Sequence, residues 1–138
     1  MDFGQGFYVT NLRQQAVAWA NNISRIRQRP PILNIYKMNR EAILQNMRCK
    51  VFDSYDIEWL EFIIGNRNGE NPARDYDYVE GGVANDRVID TVNLYTAGLI
   101  TLDTALRELS KHQPNNQMCI LNQEILNKYL VYDGTESL

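Results

Sequence analysis

A chain of 138 residues has the length of one ordinary domain, and 44% apolar with 22% charged residues is a globular composition rather than a disordered one. No run of the sequence reaches the length of a membrane span and the N-terminus has no signal-type apolar core, so a cytoplasmic protein without a membrane partner is expected. The net charge of −3 is uneven: residues 1–50 hold eight Lys/Arg against Asp2 and Glu41, which is +6 there and therefore −9 over the remainder.

In chain order, Gly4-Gln5-Gly6 is a turn that feeds a short strand, Tyr8 to Thr10, with Thr10 or Asn11 placed to cap the next helix. Leu12, Ala16, Trp19, Ile23 and Ile26 recur at helical spacing and form one apolar face, which puts Trp19 on the inward stripe, either in the core or at the rim of a pocket. Pro30-Pro31 stops this helix. Arg25, Arg27 and Arg29 close it, where cations suit the helix dipole. The same basic half also has the charge to hold a pyrophosphate or a nucleic acid.

Ile32 to Met38 reads as a strand, and Glu41 to Asp53 as a region holding another, clearest at Arg48 to Phe52. A helix is expected from about Ser54 to Gly65-Asn66, then a polar loop over 65–74. Tyr76 to Val79 alternates like a strand with one wet face, broken by Gly81-Gly82. Helices follow from about Asn85, with Val88, Val92, Tyr95 and Leu99 inward, and from the Thr101 cap, with Ala105, Leu106 and Leu109 inward. Gln117 to Leu121 is a short buried strand, Asn122 caps a last helix, and Tyr129 to Tyr132 is a last strand. The sum is an α+β fold, one domain over 1–138, with no internal repeat.

Chemistry is sparsely marked. His112 is the only histidine and sits where a helix C-terminus is expected, which disfavours a His-activated nucleophile. Cys49 and Cys119 read as reduced thiols, and zinc-type spacing is absent, so no metal is expected. Gly4-Gln5-Gly6 matches no complete phosphate-loop or dinucleotide fingerprint. Gly82-Val83-Ala84-Asn85-Asp86-Arg87 enters a helix. It reads either as an anion-binding helix start, with Asp86 and Arg87 shaping an acceptor or ligand loop, or as a simple cap by Asn85 or Asp86.

Phe3-Gly4-Gln5-Gly6-Phe7-Tyr8 and the following Gln15-Ala16-Val17-Ala18-Trp19-Ala20 resemble the second motif of ADP-ribosyltransferases of the poly(ADP-ribose) polymerase and diphtheria-toxin type. The wider chain resembles an uncharacterised bacterial family grouped with those enzymes, through Trp59-Leu60-Glu61-Phe62-Ile63, Tyr76-Asp77-Tyr78-Val79, Gly82 to Arg87 and Gln117-Met118-Cys119-Ile120. The resemblance implies a split β-sheet core with NAD in a cleft between two small sheets, and transfer of ADP-ribose to an acceptor with release of nicotinamide. It also implies a toxin- or effector-type protein with an immunity or antitoxin partner.

Residue by residue, Tyr8 matches the motif tyrosine and Trp19 the second stacking ring, eleven positions on. Gly6 matches a glycine that lets backbone approach the ligand. Ala16 stands where many relatives carry a serine that contacts the nicotinamide amide. Gln117 stands at the catalytic glutamate, where it can hydrogen-bond a ribose hydroxyl but supplies no negative charge. Glu124 or Asp86 is a substitute carboxylate, although Glu124 reads equally as first-turn helix charge. The resembled enzymes begin with a strand bearing a His- or Arg-containing motif, and here Met1 directly precedes Asp2-Phe3-Gly4. Without that strand an exposed sheet edge favours a homodimer, and a catalytically inactive NAD-, ADP-ribose- or protein-binding module becomes the alternative to a transferase.

Overall fold

The computed structural model describes residues 2–114 and 116–138, with every side chain among them except that of Asp86. The elements in order are β1 (Phe7–Val9), α1 (Arg13–Arg27), β2 (Ile32–Met38), α2 (Arg40–Asn46), β3 (Cys49–Val51), α3 (Ile57–Arg67), a 3-10 turn (Pro72–Asp75), β4 (Tyr78–Gly82), α4 (Asp86–Thr96), α5 (Leu102–Leu109), β5 (Asn116–Ile120), α6 (Gln123–Tyr129) and β6 (Leu130–Ser137). The architecture is α+β with two separate sheets. One has the order β1-β5-β4-β3, and β2 pairs with β6 in a two-stranded ribbon.

In the larger sheet β3 and β4 are parallel, joined through α3, while β4–β5 and β5–β1 are antiparallel. Both faces are covered. Phe52, Trp59, Leu60, Ile63, Val79, Val88, Val92, Leu109 and Cys119 form the core under α3, α4 and α5. Ile43, Tyr78, Met118, Ile120 and Ile125 form the second core under α2 and α6. Alternation along each strand sorts the residues: Val79 and Cys119 go to the first core, Tyr78, Met118 and Ile120 to the second.

Several helix starts agree with the sequence reading. Asn85, Thr101 and Asn122 each accept a backbone N–H at the start of α4, α5 and α6. The first cap does not: Leu12 is the N-cap of α1 and offers no side-chain bond, while Thr10 accepts from the Leu12 N–H and donates to the Asn116 carbonyl at 2.9 Å, pinning β1 to β5.

Other expectations are corrected. The expected strand region after Glu41 opens instead with α2, because Asn39 accepts the Ala42 N–H and Glu41 to Gln45 are good helix formers. Gly81 and Gly82 do not break the fourth strand but complete it, and all five residues of β4 are buried rather than wet on one face. A Cβ on Gly81 would lie 2.9 Å from that of Phe52, and one on Gly82 would run into the Tyr55 ring. Leu99 lies beyond the end of α4, past Gly98 at φ +76°, and is 71% exposed. The apolar face of α1 is not an inward stripe along its length: no residue of α1 is buried, and Ile26 is 74% exposed. The last strand is longer than expected and carries a bulge at Ile35/Tyr36, where Asp133 is the extra residue beside Gly134 at φ +131°.

Candidate functional site: a cleft between the two sheets

A cleft of about 740 Å³ opens between the free edge of the larger sheet and the ribbon, roofed by α1. Its sides are successive residues of β1 (Phe7, Tyr8, Val9) and of β2 (Ile32 to Tyr36, and Met38), with Ala16, Trp19, Ala20 and Ile23 from α1 and Met118 from β5. Two aromatic rings meet in its wall, Phe7 and Tyr36, edge-to-face at 5.6 Å, and Tyr36 in turn packs at 5.6 Å on Tyr132 of β6, outside the lining. Trp19 enters from one side, partly buried. Such a wall of π-faces and aliphatic side chains suits a flat heterocycle.

The matched residues are dispersed. Tyr8 and Trp19 border the same cleft, but they do not clasp it between facing rings. The strand pleat turns the Tyr8 phenol to the opposite face, where it packs against the first core. There its hydroxyl donates to the Gly4 carbonyl at 2.5 Å and accepts the Phe3 N–H at 3.1 Å. Burial, then the neighbouring Cys119, push its pKa well above the ordinary tyrosine value. The ring that faces the cleft from this strand is its neighbour, Phe7.

Gly6 is a point of close approach, to β5: a Cβ there would stand 2.5 Å from the Ile120 carbonyl oxygen and 2.7 Å from the Cys119 sulfur. Gln117 lies on β5 opposite Gly81, 5% exposed, and does not line the cleft; the β5 side chain that does is Met118. Arg87 is exposed in the first turn of α4, away from the cleft. Asp86 opens α4, and its side chain lies outside the described residues. Asn85 supplies the cap there, with the Val88 N–H at 3.1 Å. Glu124 pairs with Lys128 on the surface of α6.

The buried ion pair at the cleft has almost no signal in the sequence. Arg40, at the start of α2, lines the cleft and grips Glu80 of β4 through Nε and Nη2, both at 2.7 Å. Tyr78 donates its hydroxyl to the same carboxylate at 2.6 Å. Burial alone would raise the Glu80 pKa, but the Arg40 and Tyr78 hydrogen bonds outweigh it and hold the carboxyl below its ordinary value. The one available signal was a glutamate placed next to Gly81-Gly82 in an otherwise apolar strand; its partner forty positions earlier had none.

A second, polar groove of about 980 Å³ lies at the other end of the larger sheet, beside Gly4, Asn66, Asn71 and Asn122. Its arginines are largely engaged in holding loops: Arg48 with Asp77, and Arg67 with Asp2 at 2.9 Å. Asp77 also accepts the Arg48 backbone N–H and the Asn122 amide. The groove therefore reads as a clamp on the chain itself. Both cysteines are free thiols, and burial pushes that of Cys119 up to about 11. Among the described residues no group of three or more His, Cys, Asp or Glu is placed to hold a metal ion, and no helix is long and apolar enough to cross a membrane.

Residues 1–132 match the family described as protein of unknown function (DUF3990). The chain belongs to that family. No curated protein and no solved structure matches it. The match takes in every element that borders the cleft, from Phe7 on β1 to Leu130 at the start of β6.

Proposed function

We propose that this is an NAD-binding protein with an ADP-ribosyltransferase-like fold, and that the cleft between the two sheets holds the nicotinamide half of NAD. The observation that carries the reading is the cleft wall, which Trp19, from the helix after the Gly-Gln-Gly-Phe-Tyr motif, shares with the Phe7–Tyr36 pair. An aromatic and aliphatic slot between two small sheets is the place the sequence resemblance implies for this ligand. The positively charged nicotinamide ring gains from π-faces.

In a mono-ADP-ribosyl transfer the bond between nicotinamide and ribose breaks through an oxocarbenium-like transition state, which a nearby carboxylate stabilises. Here the matched position is Gln117, buried outside the cleft wall, and the buried carboxylate bonded to a cleft residue, Glu80, is neutralised by Arg40. These two observations favour a second reading, an NAD- or ADP-ribose-binding module that turns over slowly or not at all. Calorimetric titration of NAD, with Trp19→Ala as control, tests the binding common to both readings. Affinity that falls in the variant supports the cleft, and no binding by the natural chain refutes it. Nicotinamide release measured on the same sample then separates the transferase from the module.

A further inference from the structure

Glu80 sits in the middle of the larger sheet, 6% exposed, next to Tyr78 and across from Met118. A carboxylate is costly in such a place, and an apolar side chain of similar volume would pack there without desolvation. All of its described contacts serve one arrangement: two bonds to Arg40 and one from Tyr78. The Arg40 side chain itself is 46% exposed and borders the cleft. A guanidinium carries five N–H donors in a rigid fork. Pairing through Nε and Nη2 leaves Nη1 turned away from Glu80, with Tyr78 also beside the guanidinium.

The charge of the cleft lining points the same way. Arg13 and Arg40 line it, and among the described residues no Asp or Glu does. Arg13 is held at 2.5 Å by Glu136 of β6, which is 42% exposed, so that pair is solvent-screened at the rim. Arg40, its charge balanced by buried Glu80, is therefore the guanidinium held in place in a site whose other walls are mainly aromatic and aliphatic.

We propose that Arg40 is the anion anchor of the cleft, taking a phosphate oxygen of a ligand whose flat ring lies among Trp19, Phe7 and Tyr36, with Glu80 and Tyr78 as the residues that position it. The ligand class is a nucleotide phosphate ester, and the proposal rests on the NAD reading of the same cleft. Charge-assisted contacts of this kind contribute about tenfold or more in affinity.

The test is calorimetry with two ligands, NAD and the phosphate-free nicotinamide riboside, at two salt concentrations. They are titrated into the natural chain, Arg40→Gln, and the double variant Arg40→Met with Glu80→Met. The double variant leaves no orphaned charge and keeps the fold if Arg40→Gln alone does not. Both variants are expected to bind NAD at least about tenfold more weakly, to bind nicotinamide riboside within about twofold of the natural chain, and to lose most of the salt dependence of NAD binding. An equal loss for both ligands in the double variant, or unchanged NAD affinity in a folded variant, overturns the anchor and leaves the aromatic cleft standing. A natural chain that binds neither ligand overturns the NAD reading and the anchor with it.

Discussion

The four-stranded sheet and the two-stranded ribbon are built to different standards. Around the sheet, Trp59, Ile63, Val88, Leu109, Ile43 and Ile125 are each sealed from solvent, with helices on both faces. The ribbon and α1 leave Ile23, Ile26, Ile32, Ile35, Val131 and Tyr132 exposed, and α1 buries no residue. The cleft has one wall in each region. A site so placed has a rigid floor and a side able to adjust, the distribution of local stability that ligand-binding segments require.

The contrast can be broken by substitutions on either side. Trp59→Ala should have the largest effect, about 3–5 kcal/mol in urea unfolding. It removes a fully buried ring, its contact with Tyr55 at 4.7 Å and its hydrogen bond to the Gly82 carbonyl at 3.1 Å. Arg40→Ala comes next, at about 3 kcal/mol, because it strands the Glu80 carboxylate in the sheet. Glu80→Gln should cost less, about 1 kcal/mol: the half-exposed Arg40 can turn to water, and a glutamine still accepts from Tyr78. A larger loss for Glu80→Gln than for Arg40→Ala, read from the two urea midpoints, would contradict the asymmetry of burial on which this rests.

Gly6→Ala should cost about 2 kcal/mol, since the atom it meets is a backbone oxygen that cannot yield without moving β5. Acid titration sharpens the same picture. Glu80 and Asp77 are both held below their ordinary values of 4.5 and 3.8 in the folded chain. The stability they contribute is present above those values and is lost as the pH falls through the lower folded ones. The melting temperature should therefore drop below about pH 4.5, and less steeply in Glu80→Gln. At the small end, Ile26→Ser on the exposed face of α1 should change stability by less than about 0.5 kcal/mol. A cost comparable to that of Trp59→Ala would mean that this face is covered in solution.

Much of the frame was legible in the sequence. The strand Ile32–Met38 is legible at its full extent, and the caps Thr101 and Asn122 announce themselves as short polar residues before apolar periodicity, whereas at α4 the sequence leaves Asn85 and Asp86 open and the structure chooses Asn85. What periodicity reports is a face, not whether anything lies against it, and so α1 was read as buried. Glycines were read as strand breakers, yet Gly81 and Gly82 are in the strand because aromatic rings of the first core press on it. The site was legible by halves. Trp19 lies at the cleft, but the direction of the Tyr8 phenol depends on pleat and register with β5, which the motif does not encode. The Arg40–Glu80 pair joins residues forty positions apart, and only the pairing of sheet and α2 brings them together.

One topological detail governs when the cleft comes into being. Phe7 pairs with Ile120 and Ile32 with Ser137, so both strands that flank it wait for partners made about a hundred residues later. On a chain emerging from a ribosome, β1 and β2 are free edges for most of synthesis, while β3, α3 and β4 already have one another as neighbours in sequence. Closing such long loops is slow, so folding runs from the middle of the chain outward. The cleft is then the last part to be assembled, and it cannot form before β6 has been made.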